Sequence, residues 1–215
     1  VTLGRIAAIH ALGDVWAMGA APQAATATVI LPRMDGDMAE ATLVELLEPA
    51  ADVFRGEGAE LVGGHTSFGD ETTLGFTVTG LTERAPLTLA GAQPGDVLIL
   101  TKPIGTGTVL AAEMRGRARG KDWAAALAEM ARPQGAAARV LAARARAMTD
   151  VPGFGLAGHL ANICHASGVA ARLELAAIPL MPGAEALAAA GIRSTLYPEN
   201  RTALAGRVSG APDSP

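Results

Sequence analysis

The stretch Thr72-Thr73-Leu74-Gly75-Phe76-Thr77-Val78-Thr79-Gly80-Leu81 sets Leu74, Phe76 and Val78 alternately with small or polar residues. Successive strand side chains point to opposite faces, so this pattern specifies a long strand with one face that must be covered. Two helical patterns upstream can cover it. From Gly4 to about Ala20, Ile6, Ile9, Leu12, Trp16 and Met18 among alanines describe a buried helix ended by Pro22. Asp37 to Gly56 is amphipathic, with Leu43, Leu46, Leu47, Ala51 and Phe54 turned inward. Between them Ala25-Thr26-Ala27-Thr28-Val29-Ile30-Leu31 reads as a strand bounded by Pro32, and Ala59 to Val62 as a short strand. The first part of the chain is therefore a helix-strand-helix-strand-strand unit.

The prolines and the turn Gln93-Pro94-Gly95-Asp96 between Glu83 and Pro94 break that pattern and mark a domain boundary. Beyond it, Val97 to Thr101 and Val169 to Leu175 read as strands. Helices are expected from Gly105, over Asp122–Met130, Pro133–Ala147 and Leu156–Ala166, and over Pro182–Ala190. The expectation is an α+β chain of two domains, residues 1–84 and 85–205, the second layered with helices on the faces of its sheet. Residues 206–215 offer nothing to bury and are expected to form a mobile tail. A net charge of −4 gives no basic field for nucleic acid, and 3% aromatic residues leave little to stack on bases. The run Arg115, Arg117, Arg119, Lys121 reads as a solvated helix end. No apolar run is long enough to span a bilayer and no signal peptide is recognisable, so no membrane association and a cytoplasmic site are expected. The one cysteine, Cys164, excludes a disulfide framework and reads as a structural thiol.

Three places can carry chemistry. Asp14 is an acid in a helix that is apolar on nearly all sides, so it is expected to be buried and either paired with His10 one turn earlier or bound to a hard cation such as magnesium. Gly63-Gly64-His65-Thr66 follows a short strand and reads either as a bulged turn or as a concavity of amides around an anion. Asp150 stands in Met148-Thr149-Asp150-Val151-Pro152-Gly153-Phe154-Gly155, before the helix from Leu156, where it caps the turn or holds a hard cation. Lys102-Pro103-Ile104-Gly105-Thr106-Gly107 has its lysine ahead of the glycines and reads as strand-turn-helix punctuation rather than a phosphate loop.

Taken together, Gly4 to Ala8, Ala11 to Gly19, Gly63 to Thr66, Thr79-Gly80, Gly95 to Gly107 and Ala147 to Leu160 resemble the selenophosphate synthetase (selenide, water dikinase) family. That family is part of the aminoimidazole ribonucleotide synthetase-like, or PurM-like, superfamily. The resemblance implies a reaction in which ATP, selenide and water give selenophosphate, AMP and phosphate, with Mg2+ holding the polyphosphate. It implies that Asp14 is a metal ligand that also meets ATP, that Asp150 is a metal ligand from the second domain, and that Gly64, His65 and Thr66 contact ATP across a homodimer. The family's catalytic cysteine or selenocysteine and its nearby lysine match nothing in Val1–Pro215. No catalytic residue is therefore assigned here, and the chain by itself is expected to be inactive. The strand Thr72–Leu81, left at a sheet edge, is the expected dimer contact.

Overall fold

The computed structural model describes residues 1–210. In chain order the elements are α1 (Thr2–Ala17), β1 (Ala21–Pro32), α2 (Gly36–Gly56), β2 (Glu60–Gly69), β3 (Thr73–Leu81), α3 (Thr106–Glu113), α4 (Gly120–Met130), α5 (Gly135–Ala142), α6 (Gly155–Ser167), α7 (Ala184–Ala189) and α8 (Tyr197–Ala203), with a 3-10 turn at Leu175–Ala177. They form two compact units. Unit 1 is Val1–Leu87 together with Ala131–Ala145, and unit 2 is Thr88–Met130 with Arg146 onward.

Unit 1 is built on a sheet of order β2-β1-β3. β1 runs parallel to β2, from Ala24 opposite Glu60 to Pro32 opposite Gly69, and antiparallel to β3, from Ala21 opposite Leu81 to Ile30 opposite Thr73. Proline cannot donate a ladder hydrogen bond, and Pro22 lies in the second position of the central strand, where the β1–β3 register shifts. The alternation read in the sequence holds: Leu74, Phe76 and Val78 face the helices, against buried Ala25, Ala27, Val29 and Leu31 of β1. Phe54 of α2 is fully buried and meets the Phe76 ring edge to face, with centroids 5.1 Å apart. Each such buried side chain contributes about 1.5–3 kcal/mol.

α1 and α2 lie side by side on that face because Gly4 of α1 has no Cβ, which would strike the carbonyl of Leu46. α1 buries Gly4, Ala8, Ile9, Leu12, Val15 and Trp16 and leaves Leu3, His10, Asp14 and Met18 exposed along one stripe. α5 packs Ala138 against the same core. Its first residue, Gly135, admits the Glu57 carboxylate and the Trp16 indole, which a Cβ would meet at 3.2 Å from Nε1.

Unit 2 is helical. α3, α4 and α7 enclose Val109, Ala126, Met181 and Ala184, and Ala111, Ala112 and Ile192 form a smaller cluster beside them. Asp122 in the first turn of α4 is buried at 2% exposure and receives the Arg119 Nε hydrogen bond at 2.6 Å. Lys102 Nζ donates to the Glu129 carbonyl near the end of α4 at 2.7 Å. Gly105, at φ +114°, opens α3, so the Lys102–Gly107 segment supplies the turn and helix start expected of it, without the preceding strand. Ser167 Oγ donates to Leu89 O and accepts from Ala92 N, both at 3.1 Å, while Met148 N donates to Thr88 O and Arg146 pairs with Asp96.

Several elements differ from the sequence expectation. Val97–Thr101 and Val169–Leu175 form no strand, Thr101 lying in a bend and Leu175 opening the 3-10 turn, and in unit 2 the one bridge among the described residues joins Ile104 to Leu180. A strand exists only through its partner, and Val97, Leu98 and Ile99 are 82%, 48% and 65% exposed. The layered sheet expected for the second domain is therefore not formed among the described residues. The helix expected over Pro133–Ala147 is the shorter α5, and α8 lies where no helix was expected. Of the expected mobile tail, residues 211–215 lie outside the described residues.

Candidate active site

Asp14 sits on the exposed stripe of α1, one turn beyond His10, which is also exposed. The expectation of a buried Asp14 is corrected. Alanine is neutral as to burial, so a helix made of alanine and a few large apolar residues hides only the face its large residues define, and Leu3, His10 and Asp14 mark the other. No hydrogen bond or ion pair engages the Asp14 carboxylate among the described residues, so the alternative of a His10–Asp14 bond is not formed.

Gly63 to Thr66 is not a loop. It lies within the edge strand β2, where Gly64, His65 and Thr66 stand opposite Ala27, Thr28 and Val29 of β1. The register slips just before it: Leu61 pairs with Ala25 and Gly63 with Thr26, leaving Val62 as the extra residue of a bulge. The bulge of the first alternative is thus present, within a strand rather than at a turn. Gly63 to Thr66 are all exposed, and β2 has an unpaired outer edge that offers backbone N–H and C=O groups. Gly64 also touches β1, since a Cβ there would lie 2.8 Å from Ala27 N and 2.9 Å from its carbonyl carbon. Within unit 1, α1 packs on β1, β3, α2 and α5 and not on β2, so Asp14 and Gly64–Thr66 occupy different borders of the unit.

Asp150 belongs to unit 2. It is half-buried, its carbonyl accepts from the Thr149 hydroxyl at 3.0 Å, and the turn that follows is tied to α8 by Asn200 Nδ2 donating to Gly153 O at 3.0 Å. α6 begins at Gly155, at φ +70°, close to the start read from the sequence. In that helix His159 is buried and its ring packs on Phe154, with centroids 5.7 Å apart. Cys164, farther along α6, is half-buried. The burial of His159 was not legible, because it depends on packing from elements remote in sequence.

Among the described residues no group of three or more His, Cys, Asp or Glu side chains forms a metal cage. Magnesium does not require one, since it is commonly held by one or two carboxylates with phosphate and water completing its shell. Asp14, exposed and unengaged, fits that donor role, and Asp150 has the right chemistry for it.

The AIR synthase related protein N-terminal domain model matches residues 1–82, and the C-terminal domain model of the same family matches residues 93–196. The chain belongs to the AIR synthase related protein family. A selenide, water dikinase of Nitratidesulfovibrio vulgaris (strain DSM 19637 / Miyazaki F) is 41% identical to this AIR synthase related chain over 198 residues, covering 88% of the chain and 54% of the relative. The chain thus spans about half the length of that protein. Among solved structures, thiamine-monophosphate kinase from Stenotrophomonas maltophilia K279a superposes with a TM-score of 0.72 at 25% identity, covering 83% of this chain and 58% of that one. Hydrogenase maturation protein HypE in complex with ATP superposes with a TM-score of 0.70 at 19% identity, covering 89% and 58%, and so shares the fold. The two-domain, PurM-like α+β architecture expected from the sequence is the architecture of this family. No described helix is long and apolar enough to cross a membrane.

Proposed function

We propose that the protein to which this chain belongs makes selenophosphate from ATP, selenide and water, releasing AMP and phosphate, for selenocysteine and selenouridine synthesis. The observation that carries this reading is the 41% identity to a selenide, water dikinase over 88% of the chain. In this reading Asp14 and the Gly64-His65-Thr66 strand are nucleotide contacts, and Asp14 and Asp150 are metal ligands. Mg2+, when bound, offsets the polyphosphate charge and polarises the phosphoryl group undergoing attack. The exposed carboxylate of Asp14 suits that task because it recruits the ion without first losing a partner in the fold. This reading gives Cys164, half-buried within α6, no part in the attack. The same reading makes this chain inactive on its own.

Pairing at the open edge of β3 would join two copies, with Gly64–Thr66 of one serving the nucleotide of the other. Sedimentation velocity tests this, and a single boundary at monomer mass counts against it. The single cysteine suits a reducing cytoplasm.

Mg2+-ATP titration by calorimetry, with Asp14→Ala and Asp150→Ala, tests the site. Each substitution is expected to weaken Mg2+-dependent binding about 10- to 100-fold, the value of one charge-assisted contact. Binding indifferent to both changes removes the site as drawn. Similarity to a thiamine-monophosphate kinase at 25% identity favours a second reading, an ATP-dependent kinase with an organic acceptor. AMP formed only with selenide supports the first reading, and ADP supports the second.

A further inference from the structure

Trp16 Nε1 and Glu57 Oε2 are both buried, and neither has a hydrogen-bond partner among the described residues. A buried polar atom left unpaired forfeits its hydration without compensation, and native folds keep few of them. An indole N–H only donates and a carboxylate oxygen only accepts, so each supplies what the other is missing. They border one point. A Cβ on Gly135 would lie 3.2 Å from Trp16 Nε1 and 3.0 Å from the Glu57 carboxyl carbon, so it is the bare backbone of Gly135 that admits both groups. The three residues come from three elements: Trp16 from α1, Glu57 from the C-cap of α2, and Gly135 from the first position of α5. Arg139, one turn along α5, brings its guanidinium to 4.0 Å from Oε2.

The helix joined at this point is otherwise lightly held. α5 has eight residues, too few to persist as a helix on its own, and Ala138 is the side chain it adds to the core cluster around Trp16, while Val140 is 73% exposed. The chain reaches α5 from unit 2 and returns to unit 2 after Ala145, whereas α1, α2 and the sheet hold one another through Leu12 and Phe54, both fully buried. We propose that α5 is a strap that opens from unit 1 while the sheet stays folded, and that a hydrogen bond from Trp16 Nε1–H to the Glu57 carboxylate is the latch that closes it. A small rotation of the Glu57 side chain forms the bond and pairs both orphaned atoms at once. The carboxylate then stands at the positive end of α5 and faces Arg139. Arg139 is 72% exposed and screened by solvent, so the buried bond is the stronger part of the latch. Opening returns the indole N–H and the carboxylate to water together, so neither is stranded, which places the strap among the low-energy local openings of the fold. The strap does not depend on the reaction proposed above.

Hydrogen exchange of the full chain, resolved by 1H–15N spectra at rising low concentrations of urea, tests this. The amides of Ala138 to Ala142 and the Trp16 indole N–H should exchange together, at least about tenfold faster than the β1 amides of Val29 and Leu31 and with little response to urea. Glu57→Ala should speed exchange of the α5 amides about 10- to 100-fold, the value of one hydrogen bond to a charged group, and Glu57→Gln, which keeps an acceptor for the indole, about tenfold or less. Leu31→Val, in a core cluster that α5 does not join, should speed β1 exchange and leave α5 unchanged. Exchange of α5 in the parent at the rate of β1 overturns the strap. Exchange of α5 unaltered by Glu57→Ala, or an indole N–H protected as long as Val29, overturns the latch. Should Glu57→Ala fail to fold, the indole and α5 rates of the parent decide alone.

Discussion

Gly64→Ala should destabilise unit 1 by about 3 kcal/mol, at the upper end of what overpacking costs, while its neighbour Gly63→Ala should change stability by less than about 0.5 kcal/mol. A methyl at Gly64 would meet the backbone of Ala27 at 2.8 Å from N and 2.9 Å from the carbonyl carbon, and closer still at the oxygen. Backbone in the central strand cannot turn aside as a flexible side chain can, so β2 must move away from β1. At Gly63 nothing lies within 4 Å. For a unit of this size 1 kcal/mol corresponds to about 4–8 °C in Tm, so the two adjacent substitutions should separate widely in a thermal scan. Amide exchange along β1 and β2 should accelerate in Gly64→Ala alone. Equal Tm values for the two variants would show that the contact of Gly64 with β1 does not constrain the sheet. The outcome also separates two roles for this glycine pair. Gly64 serves the sheet directly, so a loss of ATP binding in Gly64→Ala reports on folding before it reports on contact. Gly63 is the position where ligand contact can be probed without that confusion.

How much of this was legible in sequence follows from the range over which each feature is determined. The alternation of Leu74, Phe76 and Val78 is local, and β3 forms where it was read, with those three residues toward the helices. The period of α2 is also local, and α2 spans Gly36–Gly56 with Leu46 and Phe54 buried. Asp14 shows the limit. Its neighbours in α1 are mostly alanine, which fits inside or outside, so apolarity carried no direction until Trp16, Leu12 and Ile9 were seen packed against α2. Gly63-Gly64 failed differently: paired glycines signal a turn, but here one relieves a contact with Ala27 next to a bulge, a requirement set by β1 more than thirty residues earlier. Val97–Thr101 has the composition of a strand and the exposure of an unpaired one, because pairing belongs to the partner and not to the segment. The candidate site follows the same division. The chemical types at Asp14 and Asp150 were readable one residue at a time, whereas the burial of His159 required the fold.

Gly183→Ala should cost unit 2 about 3 kcal/mol, and about 1–2 kcal/mol of that cost should disappear when Asp122 is removed as well. Gly183 has φ +79° and precedes α7. Any other L residue there carries a penalty of about 1–2 kcal/mol. The added methyl would also lie 2.7 Å from the carboxyl carbon of Asp122, a side chain 3% exposed that receives the Arg119 Nε bond at 2.6 Å. The carboxylate must then move away from Arg119 or push α7 off Met181 and Ala184, both buried against α3 and α4. Arg119 is 62% exposed, which screens the pair, so the bond itself contributes about 1 kcal/mol and the displaced, desolvated carboxylate supplies the rest. Asp122→Ala alone should be destabilising. In the Asp122→Ala background the carboxylate contacts are gone and only a 3.3 Å approach to the remaining Cβ is left, so Gly183→Ala should cost little beyond its backbone penalty of about 1–2 kcal/mol. The coupling between the two positions, read from a double-mutant cycle in urea unfolding, should therefore exceed about 1 kcal/mol and favour the double variant. Additive effects would mean that the left-handed backbone at Gly183, and not its contact with Asp122, is what the glycine serves.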